Sequence, residues 1–297
     1  MPDQTSAQTT VLLEDASRAR PVRVDFWRPM GAERGARRTP AVVLSHGAFG
    51  AALNYSWLAT RLARAGFLVA GVSHYGESFI YGVDTIDPSS VLRPWERLLD
   101  CSFVLDELSS GRLDGGRVDV ERVAAIGHSS GGATALELGG AQYDAAAMAA
   151  YCASAAAAGD RGCQYADGAA APADDCGAVA CMRDPRVHAA VALDPALGPG
   201  HSGASLGAMT VPVCIVGAVR NDFLPFEQHA GRYAKAIPGA HLVRLDRGEG
   251  HFVFLDSAPS DAQSNGVPLY RDRPGVDRRE VHARLTEVIV EFLAGHL

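Results

Sequence analysis

The run Val123-Ala-Ala-Ile-Gly-His-Ser-Ser-Gly-Gly132, continuing into Ala133-Thr-Ala-Leu-Glu-Leu138, constrains this chain more than any other stretch. Its first half predicts a buried strand and its second half a helix, with only a Gly-x-Ser-x-Gly turn between them. A backbone that reverses from strand to helix within two residues forces the turning residue, Ser129, into strained geometry. A side chain at Gly127 or Gly131 would collide across such a turn. This is the pattern of a nucleophile elbow. The Ser129 hydroxyl is held out at the C-terminal edge of a sheet, where the following helix aims its free N–H groups and the positive end of its dipole. A glycine-rich turn without chemistry uses the same small residues, so the partners must be sought in the rest of the chain.

The flanking sequence alternates strand and helix patterns. Residues 11–14 and 22–27 read as two short strands, an antiparallel lead-in hairpin before a Gly/Arg/Pro-rich loop. Residues 41–47 form a continuous apolar run broken at glycine, the profile of a strand buried on both faces of a parallel sheet. A helix over 54–65 and a buried strand over 67–73 follow, which implies a right-handed parallel crossover. After a polar loop, 76–90, the pattern predicts a helix over 92–108 with Pro94 in its first turn, where proline is tolerated. Beyond the helix that leaves the elbow, periodicity dissolves over 142–186 into alanine, glycine, aspartate and four cysteines, and this stretch reads as an inserted cap or lid. Strands over 187–195 and 211–217, a helix over 226–237, a strand over 241–245 and a closing helix over 276–297 complete the chain. We expect one domain spanning 1–297, of the α/β class, with a mostly parallel sheet of about eight strands, helices on both faces and the site at the C-terminal strand ends.

Acyl transfer by serine requires a base, a carboxylate that fixes the base's tautomer, and two N–H donors for the tetrahedral oxygen. His251, in Arg247-Gly-Glu-Gly-His-Phe252 between the last strand and the last helix, is the expected base. Asp194, ending one strand, and Asp222, following the next, compete as the orienting acid. Without a catalytic role, Asp194 would cap the Pro195 turn and Asp222 would be an Asx-turn residue ahead of Pro225. The expected donors are the backbone N–H groups of Ala48 and Ser130, with His46 and His128 supporting the turns. Phe49 and Tyr75 are expected to line the substrate pocket together with the insertion. No metal and no cofactor is called for.

At 47% apolar residues the chain can bury a sizeable core, and its net charge of -7, without a dense Lys/Arg cluster, argues against nucleic acid or an anionic membrane as partner. No apolar run of spanning length predicts membrane insertion. A small-molecule or lipid-like ester is the expected partner.

Leu44-Ser-His-Gly-Ala48, Gly127-His-Ser-Ser-Gly-Gly132, Leu193-Asp-Pro195 and Gly248-Glu-Gly-His-Phe252 together resemble the branch of the α/β-hydrolase superfamily that holds platelet-activating-factor acetylhydrolases, chlorophyllases and bacterial proteins labelled predicted dienelactone hydrolases. The resemblance runs from about Val22 to the end. It implies the α/β-hydrolase fold, a serine nucleophile and carboxylic ester substrates, and it favours Asp194 as the acid. The chain departs from true dienelactone hydrolases, whose nucleophile is cysteine, and the cysteine-bearing insertion has no counterpart in the acetylhydrolases. The implied activity is that of a serine carboxylesterase. A peptidase or amidase of the same fold, and a catalytically silent hydrolase fold used as a ligand receptor, are its rivals.

The polar amino terminus lacks the basic and apolar regions of a signal peptide, so the chain as written is expected in the cytoplasm. A removed signal and bridged loop cysteines would instead place it in the periplasm or outside the cell. Cys101 and Cys214 read as core packing, whereas Cys152, Cys163, Cys176 and Cys181 lie within thirty residues of one another. In an exported protein, Cys152 should pair with Cys163 and Cys176 with Cys181, the shortest of the three connectivities. Thiol titration of the denatured, unreduced chain should then find two groups; six would show that all the cysteines are reduced.

Overall fold

The computed structural model describes residues 6–29, 38–113, 117–165, 183–257 and 268–297. An antiparallel hairpin of β1 (Ser6–Asp15) and β2 (Arg20–Pro29) leads in, longer at both ends than the alternation predicts because each strand completes the other's ladder. The remaining strands are β3 (Thr39–Ser45), β4 (Leu68–Ser73), β5 (Val118–His128), β6 (Val187–Leu193), β7 (Val213–Ala218) and β8 (His241–Leu245). Together they form one eight-stranded sheet in the order β1-β2-β4-β3-β5-β6-β7-β8, parallel from β4 onward, with β2 pairing antiparallel to β4. Among the described residues the helices are α1 (Ser56–Arg64), α2 (Pro94–Ser109), α3 (Ser130–Leu138), α4 (Ala145–Cys152), α5 (Gly203–Gly207), α6 (Ala230–Ala236) and α7 (Arg278–His296).

Because successive strand residues point to opposite faces, each apolar strand feeds two cores. Val42 and Leu44 of β3 and Ala124 and Ile126 of β5 pack with Leu58 and Leu62 of α1 and with Leu285, Ile289 and Leu293 of α7. Their neighbours Ala41, Val43, Val123 and Ala125 pack on the other face with Leu98, Val104 and Leu105 of α2 and with Ala135 of α3. Farther along that face, β6 and β7 bury Ala190, Ala192, Val213 and Ile215 against Ala230 and Tyr233 of α6. Cys101 and Cys214 are free and buried in this packing.

Where the elements depart from the sequence expectation, side-chain bonds give the reason. The helix expected over 226–237 is broken. A 3-10 turn, Phe226–Gln228, precedes α6, and His229 between them takes φ -120° and ψ -100° while its ring bonds to groups outside the helix. The last helix starts at Arg278 because Asp277 caps it, accepting from the N–H groups of Arg279 and Glu280. The short helix α5 carries too few apolar residues to show a period. Residues 142–165 of the expected insertion form α4 and the turns Ala155–Ala157 and Arg161–Tyr165, and a disulfide joins Cys152 to Cys163. Cys176 and Cys181 lie outside the described residues.

The two helices of the first face also anchor the turn that carries His251. Asp256, about 200 residues downstream, caps α1 by accepting from the N–H groups of Ser56 and Trp57, each at 2.9 Å. The Trp57 indole donates to the Phe254 carbonyl at 2.8 Å, and its ring stacks on His282 of α7 at 3.9 Å. His282 in turn donates from Nε2 to the Val253 carbonyl at 2.7 Å. Burial holds His282 at a pKa of about 4, below the ordinary 6.5. The unfolded chain therefore takes up a proton that the folded one refuses between pH 6.5 and 4. The stabilisation is complete above pH 6.5 and lost as pH falls toward 4, a change on the order of 3 kcal/mol. His282→Gln, which keeps a donor for Val253, should flatten the fall in urea-unfolding free energy between pH 7 and 4 by about that amount. Parallel profiles for the two proteins would contradict it.

Candidate active site

The reversal at Ser129 is built from absent side chains. Ser129 has φ 56° and ψ -121°, between the end of β5 and the first residue of α3. A Cβ on Gly127 would lie 2.0 Å from the Gly131 carbonyl oxygen, and one on Gly131 would lie 2.1 Å from that of Ser45. Neither position can carry any other residue without moving backbone. The elbow is tied to the next strand by Ser129 N–H donating to the Leu193 carbonyl and Ala196 N–H donating to the Ser129 carbonyl, both at 3.0 Å. These bonds bring Asp194 to the same place. Asp194 itself sits at φ 43°, a conformation disfavoured for residues other than glycine, asparagine and aspartate.

His251 opens a 3-10 turn after Gly250 and is 2% exposed. Its Nδ1 lies 2.6 Å from Asp194 Oδ2, and its Nε2 lies 3.0 Å from Ser129 Oγ. A carboxylate only accepts, so Nδ1 carries the proton and Nε2 is left to accept the Ser129 hydroxyl. Asp194 is held in turn by Ala218 N–H at 3.0 Å and by the Asn221 side-chain amide. Asp222 meets the backbone of His251 rather than its ring, accepting the His251 N–H at 2.9 Å. A Cβ on Gly250 would lie 2.8 Å from that carboxylate and would push it aside. The Phe223 ring stacks on the imidazole, centroids 5.0 Å apart and 12° from parallel.

Ala48 and Ser130 both border the cavity beside Ser129. Ser130 is the first residue of α3, so no carbonyl within the helix takes its N–H. The segment holding Ala48 is fixed by buried neutral histidines. His128 donates from Nε2 to the His251 carbonyl at 2.9 Å, and its Nδ1 accepts the Tyr55 hydroxyl at 2.9 Å. Tyr55 oxygen accepts the Gly47 N–H at 3.0 Å. One continuous chain of bonds thus joins the His251 backbone to the residue before Ala48. His46 donates from Nδ1 to the Gly47 carbonyl at 2.7 Å and accepts the His74 N–H on Nε2. His74 donates to Asp100 at 3.0 Å and is bonded to Ser45 Oγ at 2.8 Å. Arg97 spans the His46 carbonyl and the carboxylate of Glu77, both side chains being almost fully buried. Burial first, and the positive charge of Arg97 second, hold His46 and His74 well below the usual histidine range; burial, then neighbouring His251, does the same to His128.

The cavity has a volume of about 380 Å³. Phe49, Phe223, Phe252 and Leu197 give it an apolar wall, and the insertion contributes Met148, Arg161, Gly162 and Tyr165. Of the two residues expected in the pocket, Phe49 borders the cavity and meets Tyr165 edge to face at 5.5 Å. Tyr75 does not. It is exposed, against the edge of Tyr81 and beneath Arg20, because His74 takes the inward position at the end of β4 and the following residue turns out. Sequence reasoning missed Tyr55, Asn221, Phe223 and His229, whose roles depend on residues far away in the chain. Among the described residues, no group of three or more His, Cys, Asp or Glu is arranged to hold a metal ion, and no helix is long and apolar enough to cross a membrane.

No protein-family description and no curated protein matches the sequence. Solved structures do. A ferulic acid esterase from Streptomyces cinnamoneus superposes with a TM-score of 0.68 at 22% identity, over 100% of this chain and 91% of its own. A dienelactone hydrolase-like promiscuous phosphotriesterase from metagenomic libraries gives 0.61 at 18% identity, over 98% and 99%. Dipeptidyl peptidase 4 of Porphyromonas gingivalis gives 0.61 at 13% identity, over 99% of this chain and 36% of its own. The sheet order, the elbow and these superpositions together identify the fold of this chain as that of the α/β hydrolases.

Proposed function

We propose that the protein is a serine hydrolase of carboxylic esters that works through an acyl-enzyme. The observation that carries this reading is the unbroken chain from Ser129 Oγ through His251 to Asp194, at 3.0 and 2.6 Å, on the wall of a cavity with apolar lining. His251 Nε2 takes the hydroxyl proton as Oγ attacks the ester carbonyl, and the N–H groups of Ala48 and Ser130 receive the developing oxyanion. As the tetrahedral intermediate collapses, the C–O bond to the alcohol breaks and the imidazolium returns its proton to the departing oxygen. Water repeats the sequence on the acyl-enzyme, releasing the acid and restoring Ser129. Asp194 keeps the Nδ1 proton in place and stabilises the imidazolium.

The aromatic wall of Phe49, Tyr165, Phe223 and Phe252, and the likeness to a structure named as a ferulic acid esterase, support an ester whose acyl group is apolar and ring-bearing. Hydrolysis of a p-nitrophenyl ester separates an enzyme from a ligand receptor of the same fold. Ser129→Ala should lower kcat by about 10^4 or more with folding intact, and retention of a tenth of the activity would sink the mechanism. Asp194→Asn should likewise cost about 10^4, because an amide in that place favours the wrong imidazole tautomer. Asp222→Asn keeps an oxygen for the His251 N–H and should cost far less. The reverse ranking, measured side by side at pH 8, would transfer the acid's role to Asp222.

A further inference from the structure

A second aspartate–histidine pair lies beside the same cavity, with His229 on its wall away from the reacting atoms. His229 Nδ1 accepts the Gly198 N–H at 3.3 Å, so Nε2 carries the ring proton and donates to Asp160 Oδ2 at 2.7 Å. Asp160 belongs to the insertion. It also accepts the Tyr151 hydroxyl at 3.0 Å and the Gly162 N–H at 2.9 Å, and these bonds, with that from His229, hold its carboxyl below the ordinary range although burial pushes it up. The Cys152–Cys163 disulfide closes the loop that presents it. The adjoining residue, Arg161, donates its backbone N–H to the Phe223 carbonyl at 2.9 Å and lays its guanidinium over the Phe223 ring at 5.1 Å. Phe223 is the residue stacked on His251, and its N–H and that of Leu224 donate to Asn221, whose amide holds Asp194.

We propose that Asp160 and His229 are a positioning pair that clamps the insertion onto the 221–224 turn, so that Phe223 is kept against His251 and the imidazole stays aligned between Asp194 and Ser129. The insertion is then part of the machinery that orients the base as well as a wall of the cavity. A misplacement of about 1 Å at a reacting group can cost about 10^2 in rate, so loosening Phe223 should be felt in kcat.

The positioning role rests on the ester-hydrolase reading, and the experiment therefore carries one readout that does not. Asp160→Ala is compared with the wild-type chain and with Tyr151→Phe, which removes one donor to Asp160 and leaves the pair. In proton NMR, the His251 Nδ1–H, bonded to Asp194, should give a downfield signal in the wild type and in Tyr151→Phe. It should be lost by exchange in Asp160→Ala, with the far-UV circular dichroism unchanged. With p-nitrophenyl butyrate, kcat should fall about tenfold or more in Asp160→Ala and stay within about twofold in Tyr151→Phe. Should Asp160→Ala not fold, Asp160→Asn, which keeps the volume and loses one acceptor, is read in the same way. An Asp160→Ala chain, or Asp160→Asn in its place, that keeps both the signal and the wild-type kcat overturns the clamp. A wild type that shows the signal and hydrolyses no ester overturns the function reading, and the signal in Asp160→Ala still judges the clamp.

Discussion

The structure depends on how closely three backbones meet at the elbow. Gly127, Gly131 and the Ser45 carbonyl leave no room for a Cβ, and that closeness lets β5 reverse into α3 within two residues. The reversal puts Ser129 at a positive φ that a serine adopts only when its surroundings determine it. The surroundings do so through bonds from Ser129 to Leu193 and Ala196, which also deliver Asp194. Nucleophile and acid are thus fixed by one packing event between adjacent strand ends, and only His251 has to be brought from farther along the chain.

Bringing His251 there is the work of neutral, buried polar groups. His128 and Tyr55 join its carbonyl to Gly47 by a chain of bonds in which every ring nitrogen has a defined donor or acceptor role. His46 and His74 continue the scaffold toward Asp100 and Arg97. Such a network is rigid only if each member is satisfied, and burial keeps these imidazoles uncharged so that one nitrogen of each can accept. Histidine is suited to the task because its two nitrogens take opposite roles in the neutral ring. The same property makes the scaffold sensitive to acid.

The insertion meets the site from the other side. Asp160 and Arg161 contact His229 and the turn that carries Asn221 and Phe223, and that turn touches both Asp194 and His251. The cavity wall and the support of the acid and base are therefore contiguous. A change in the insertion that alters the cavity has a short physical path to the imidazole.

The sequence by itself determined the alternation of strand and helix, the elbow, and the two faces of the sheet. Each of these is written in local periodicity or in glycines whose neighbours in the chain are their neighbours in space. It also placed Ser129, His251 and Asp194 at strand ends in a sensible order, but it left Asp194 and Asp222 in competition because both lie in turns within reach of the same loop. Tertiary structure separated them. Asp194 faces the Nδ1 nitrogen and Asp222 the backbone N–H of His251, a distinction set by the register of β6 against β7 and by Gly250. It also turned Tyr75 outward, broke the helix at His229, and assembled Tyr55, His128 and Phe223 about the site. The bonds of His128 to Tyr55 and to His251 join residues 73 and 123 positions apart, and no period or spacing along the chain encodes a contact of that kind.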